Sequence, residues 1–121
     1  MILVDTSVWI DHLHRAEPGL VSLLADDRVL THDGVIHELA LGSLASRDVV
    51  LDALQRLRRL PNLQNAEFLA FVAREKLWGR GLSAADVHLL GAARIARATL
   101  WTRDKRLLAA ATDLAVKAVQ E

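Results

Sequence analysis

The sequence predicts an α/β domain with a mostly parallel central sheet, on three observations. Short, wholly apolar runs such as Ile2-Leu3-Val4 have the pattern of strands buried on both faces. Apolar residues at helical spacing separate these runs, beginning with Val8, Trp9, Ile10 and Leu13. The composition is 52% hydrophobic, much of it Leu, Ala and Val, but only 4% aromatic, which suits an α/β interior or a helix-rich fold better than a β-sandwich. Alternating short strands and helices of this kind build a parallel sheet with helices packed on it. A chain of 121 residues has the usual size of one domain, so residues 1–121 are expected to form a single unit.

The elements follow in order. After the strand 2–4, Asp5-Thr6-Ser7 stands where the period changes from strand to helix. Pro18 suits the first turn of a second helix, carrying Leu20, Val21, Leu23 and Leu24. Val29-Leu30-Thr31 reads as a second strand and Asp33-Gly34 as a turn or cap. Val35, Ile36, Leu39 and Ala40 mark a third helix, with Glu38 on its other side. Residues 47–60 read as one amphipathic helix with Val50, Leu54, Leu57 and Leu60 on a stripe, stopped by Pro61-Asn62. Ala66 to Trp78 resumes helical spacing until Gly79-Arg80-Gly81 breaks it. Ser83 opens another helix, Thr99-Leu100-Trp101-Thr102 is a third strand, and a last helix runs from Asp104 to Ala111. Ala115 to Val119 fits an edge strand and a helical tail equally well.

Composition removes several function classes. There is no cysteine, hence no disulfide framework and no thiolate metal site. No stretch approaches the roughly 18 apolar residues of a membrane-spanning helix. Asp5 interrupts the only apolar run near the start, so no secretory signal is expected, and a soluble, cytoplasmic protein is. Fifteen Lys and Arg balance fifteen Asp and Glu, so total charge argues neither for nor against a nucleic-acid partner.

Four acids share a structural address. Asp5 follows the first strand, Glu38 lies on the helix after the second, Asp86 is in the first turn of the helix opened by Ser83, and Asp104 follows the third strand. A parallel sheet places its strand C-termini on one edge, so Asp5 and Asp104 are expected to be neighbours there. Glu38 and Asp86 can reach the same edge from their helices. Carboxylates gathered this way repel unless a cation joins them, and hard oxygen ligands suit Mg²⁺ or Mn²⁺. Such ions can activate water and neutralise a phosphodiester. Helix capping is the alternative for each acid taken singly: Ser83 with Asp86 matches a capping box, and Asp104 stands where a cap would.

Val4-Asp5-Thr6-Ser7-Val8, Glu38-Leu39-Ala40-Leu41-Gly42, Leu82-Ser83-Ala84-Ala85-Asp86 and Trp101-Thr102-Arg103-Asp104 resemble, in that order, the motifs of PIN-domain nucleases, and most of all those of VapC-type toxins. The resemblance spans essentially the whole chain. It implies a three-layer α/β/α PIN-like domain and a Mg²⁺-dependent endoribonuclease toxin of a toxin–antitoxin pair, cutting tRNA or ribosomal RNA. It also implies a homodimer, neutralised by a cognate VapB-type antitoxin as a heterotetramer or larger assembly. Asp5, Glu38, Asp86 and Asp104 would then be the catalytic and metal-binding quartet, with Thr6, Ser7 and Thr102 in support. Residues 44–80 carry no motif.

Arg103, Lys105 and Arg106 flank Asp104 and are expected to grip RNA phosphates. Arg56, Arg58 and Arg59 read as a solvated helix face, and Trp9, Trp78 and Trp101 as packing residues. Two other motifs fail. The run from Gly79 to Ala84 fits a loose dinucleotide fingerprint but follows a helical pattern, and His37-Glu38 begins a zinc-protease motif that lacks its second His at Leu41. Two rivals remain: a PIN-like scaffold that binds without cutting, and a phospho-acceptor receiver domain, whose usual Lys on a late strand has no match here.

Overall fold

The computed structural model describes residues 1–121 and contains four strands and seven helices. In chain order they are β1 (Ile2–Val4), α1 (Thr6–His14), α2 (Pro18–Ala25), β2 (Val29–His32), α3 (Asp33–Leu41), α4 (Arg47–Gln55), β3 (Arg58–Leu60), α5 (Asn65–Glu75), α6 (Ala84–Ala96), β4 (Thr99–Trp101) and α7 (Lys105–Asp113). The strands form one parallel sheet in the order β3-β2-β1-β4. Leu3 and Val4 point to opposite faces of β1 and both are fully buried, so helices cover both faces of the sheet.

The order of connections locates a crevice. From β1 the chain moves outward through β2 to β3, then crosses back to lay β4 on the other side of β1. The direction of winding therefore reverses between β1 and β4. Ligands of open α/β sheets bind at the carboxyl ends of strands flanking such a reversal. Ile2, Leu3 and Val4 stand in register with Thr99, Leu100 and Trp101, which brings the residues after Val4 and Trp101 to the same level. A bond from the Asp5 amide to the Trp101 carbonyl (2.9 Å) closes that end of the pair.

Two sequence expectations change. The helix expected over 47–60 ends at Gln55, and Arg58–Leu60 forms the edge strand β3, in register with Leu30, Thr31 and His32. Leu54, Leu57 and Leu60 recur every third residue, which imitates a helical stripe. None of Arg58, Arg59 and Leu60 enters the buried core, so β3 lacks the apolar run that marks the other strands. Exposed arginines on a sheet edge also discourage pairing with another chain. The tail is resolved in favour of an edge strand: the Leu100 amide bonds the Lys117 carbonyl (2.8 Å) and the Val119 amide bonds the Leu100 carbonyl (2.9 Å), a single parallel bridge.

Candidate active site

Asp5 stands at the start of α1 with extended backbone, yet its side chain makes no capping bond. Instead its Oδ2 accepts hydrogen bonds from Ser7 Oγ (2.7 Å) and Thr102 Oγ1 (2.8 Å). The capping alternative therefore fails for Asp5, which is only 5% exposed. Thr102 also accepts the Asp104 amide on its Oγ1 (3.0 Å), and Ser7 Oγ accepts the Arg103 amide (3.0 Å). Residues 102–104 are thus tied to the end of β1 by two hydroxyls that both bond Asp5.

The other three acids approach from their own elements. Glu38 on α3 accepts a bond from Thr6 Oγ1 at Oε1 (3.2 Å). Asp86 forms the capping box expected with Ser83: its Oδ2 accepts the Ser83 amide (2.9 Å) and its amide bonds Ser83 Oγ (3.0 Å). Asp104 caps α7, its Oδ1 accepting the amides of Arg106 (2.9 Å) and Leu107 (3.0 Å). Capping is real for these two, and it occupies one oxygen of each. All four carboxylates share that arrangement: one oxygen is fixed by the protein and the other has no hydrogen-bond partner in the chain.

No Arg or Lys is paired with any of the four. Their charges are felt instead. The Glu38 carboxyl is partly shut off from water, and this burial, followed by the charge of Asp5 and then those of Asp86 and Asp104, raises its pKa against the opposing Thr6 bond. Burial likewise raises Asp86, with Asp5 and Asp104 adding to it and the Ser83 bonds opposing it. Uncompensated negative charge on hard, half-free carboxylates is a donor set that fits a divalent cation. No three His, Asp or Glu side chains close into a ready-made cage.

The three cations expected near Asp104 divide. The Arg103 guanidinium bonds Asp11 (2.7 Å), Glu17 (2.8 Å) and Glu121 (2.8 Å) and lies over the Trp101 ring. Three carboxylates leave no free face for a phosphate, so Arg103 is withdrawn from the expected RNA contact and becomes the clamp of the 102–104 segment. This role was invisible in sequence because its partners lie far off in the chain, and only proximity in space reveals them. Lys105 and Arg106 are exposed and carry no carboxylate partner.

The model of the PIN domain matches residues 2–113. The chain belongs to the PIN-domain family. It is 54% identical over 122 aligned positions to Ribonuclease VapC32 of Mycobacterium tuberculosis, covering 100% of this chain and 98% of that protein, which places it among the VapC-type members. Solved structures share the fold. FitAcB from Neisseria gonorrhoeae superposes with a TM-score of 0.63 at 24% identity over 99% of this chain and 97% of that one. PAE2754 from Pyrobaculum aerophilum gives 0.64 at 22% identity, over 90% and 84% respectively. A FitAB complex bound to a DNA fragment gives 0.64 at 19% identity, over 98% and 94%.

Proposed function

We propose that this PIN-domain chain is a divalent-metal-dependent endoribonuclease, the toxin of a toxin–antitoxin pair. The observation that carries the reading is the quartet Asp5, Glu38, Asp86 and Asp104 at the point where the winding of the sheet reverses, unpaired with any cation and each offering one free oxygen. The similarity to Ribonuclease VapC32 supports it. Asp5 and Asp104 at the strand ends, with Glu38 and Asp86 on the helices, are the residues that would hold the ion. When bound, Mg²⁺ or Mn²⁺ supplies Lewis-acid activation of water and neutralises charge on the phosphodiester. Ser7 and Thr102 fix Asp5, Thr6 turns Glu38, and Ser83 orients Asp86. Lys105 and Arg106 meet phosphates of the RNA, for which tRNA and ribosomal RNA are the proposed sources.

The partner is a VapB-type antitoxin, and the working assembly is a homodimer that joins it in a heterotetramer or larger complex, in the cytoplasm. A groove lined by Ile10, Leu13, Leu39 and Leu44 opens directly beside Glu38 and suits an amphipathic antitoxin segment. No helix is long and apolar enough to cross a membrane.

The test is cleavage of total RNA by the purified chain with Mg²⁺, with Mn²⁺ and with EDTA, alongside Asp5→Asn. Metal-dependent cleavage that Asp5→Asn abolishes without unfolding supports the reading. RNA bound but never cut, with any divalent ion, would replace it by a binding scaffold.

A further inference from the structure

Of the three tryptophans, Trp9 and Trp101 are each 5% exposed, as packing residues should be. Trp78 is 64% exposed, and the packing expectation fails there. An indole left in water contributes little hydrophobic stabilisation. Nor is it on a loose segment, because contacts fix the chain on both sides of it. Leu77 is 3% exposed and its amide bonds the Val72 carbonyl (3.0 Å). Arg80 bonds Asp113 at the end of α7 (2.8 Å), and the capping box ties Ser83 to Asp86. The loop between α5 and α6 therefore holds the indole out toward solvent.

The same loop seats a cation. Gly81 has a φ of +74°, and a Cβ there would stand 2.9 Å from Arg106 Nη1 and 3.0 Å from its Cδ. The Arg106 side chain thus lies along the Gly81 backbone, in space that any other residue at that position would fill. Its guanidinium has no carboxylate partner, while its amide bonds Asp104 Oδ1 (2.9 Å). Arg106 therefore joins the loop to the acid quartet. Trp78 stands three residues before Gly81, a span of at most about 11 Å between Cα atoms. Lys76 and Lys105 are also exposed and carry no carboxylate partner. From Lys76 to Asp113 the only acids are Asp86 and Asp104, which belong to the quartet, and Asp113, which Arg80 neutralises.

We propose that the α5–α6 loop is a base platform for single-stranded RNA, with Trp78 stacked on an unpaired base of the strand whose phosphates Lys105 and Arg106 hold. The inference rests on the endoribonuclease reading and names the form of substrate that enzyme takes, a strand unpaired beside the cut. Free cations next to an exposed aromatic ring are how proteins hold single strands of any sequence. Charge decides the occupant: RNA brings anionic phosphates to the unpaired cations and a flat base to the indole together.

The test uses the full chain in EDTA, where RNA binds without being cut. Anisotropy reads the Kd of a fluorescein-labelled single-stranded RNA, and calorimetry that of inorganic polyphosphate, an anion without bases. Trp78→Leu is expected to raise Kd for RNA roughly fivefold to a hundredfold, and Trp78→Phe by less, because a ring remains. Neither should alter the Kd for polyphosphate. Arg106→Gln should weaken both ligands and reduce the slope of log Kd against log salt for RNA by about 0.7, the share of one phosphate. Wild-type RNA affinity in Trp78→Leu would overturn the proposal, as would equal losses for RNA and polyphosphate. A Trp78→Leu chain that changes oligomeric state but not RNA affinity would overturn it too, and would assign the indole to a second copy. A wild-type chain that cuts no RNA with any divalent ion would instead defeat the endoribonuclease reading, and the EDTA titrations would still decide whether Trp78 stacks on a base.

Discussion

Thr102→Val isolates the hydroxyl on which the proposed site converges. Thr102 is 4% exposed, donates to Asp5 Oδ2 at 2.8 Å and accepts the Asp104 amide at 3.0 Å. Valine keeps the shape and removes both bonds. A hydrogen bond to an ionised group contributes about 1.5–3 kcal/mol, and the orphaned Asp104 amide adds to the loss, so stability should fall by about 2–3 kcal/mol. For a chain of this length that lowers Tm by roughly 8–12 °C. Because Asp5 and Asp104 lose their common anchor, kcat for RNA cleavage should fall about 100-fold, the scale of an ångström-sized misplacement. Thr102→Ser keeps the hydroxyl and should retain most of the activity. Urea unfolding and single-turnover cleavage at 25 °C measure the two effects. If Thr102→Val matches wild type in both, or Thr102→Ser is as impaired as Thr102→Val, the hydroxyl does not hold the acids and the reasoning fails.

Glu38→Gln should stabilise the metal-free chain at pH 7.5 while abolishing cleavage, since it removes one of four mutually repelling charges. The sign with pH follows from the raised pKa values of Glu38 and Asp86: the folded chain keeps protons that the unfolded chain has released, so their contribution falls as pH rises from the ordinary carboxylate range to their folded values. His32, whose pKa burial lowers, works in the opposite direction below its ordinary value, so the comparison is Tm of variant minus wild type in EDTA. That difference should shrink toward pH 4 and on adding Mn²⁺; a difference independent of pH would contradict the repulsion. Arg103→Met should release the 102–104 segment, lowering kcat more than RNA affinity, because its guanidinium is engaged with Asp11, Glu17 and Glu121. A loss of affinity alone, read by anisotropy in EDTA, would restore Arg103 to the RNA contact.

The fold was legible wherever burial writes itself into composition. β1, β2 and β4 each carry apolar residues buried on both faces, and the parallel sheet followed from them. β3 was not legible, because an edge strand with two exposed arginines has no apolar run, and leucines at every third position read as a helix. Asp5 and Asp104 follow strand ends and Asp86 stands in the first turn of a helix, places that local pattern reveals, whereas Glu38 lies inside α3. Which oxygen of each is held, and by which hydroxyl, depends on contacts between distant segments such as Thr6 with Glu38 and Thr102 with Asp5. The clamp on Arg103 and the stacking of His32 on His88 belong to the same class. Neither leaves a mark in the neighbouring sequence.

The proposed chemistry requires the four carboxylates to act on one ion. Mn²⁺ binding to the RNA-free chain, followed by electron paramagnetic resonance in wild type and in Asp5→Asn, Glu38→Gln, Asp86→Asn and Asp104→Asn, measures this directly. The account predicts that every one of these substitutions weakens the ion and lowers RNA cleavage with it. Wild-type Mn²⁺ affinity in all four variants would contradict it.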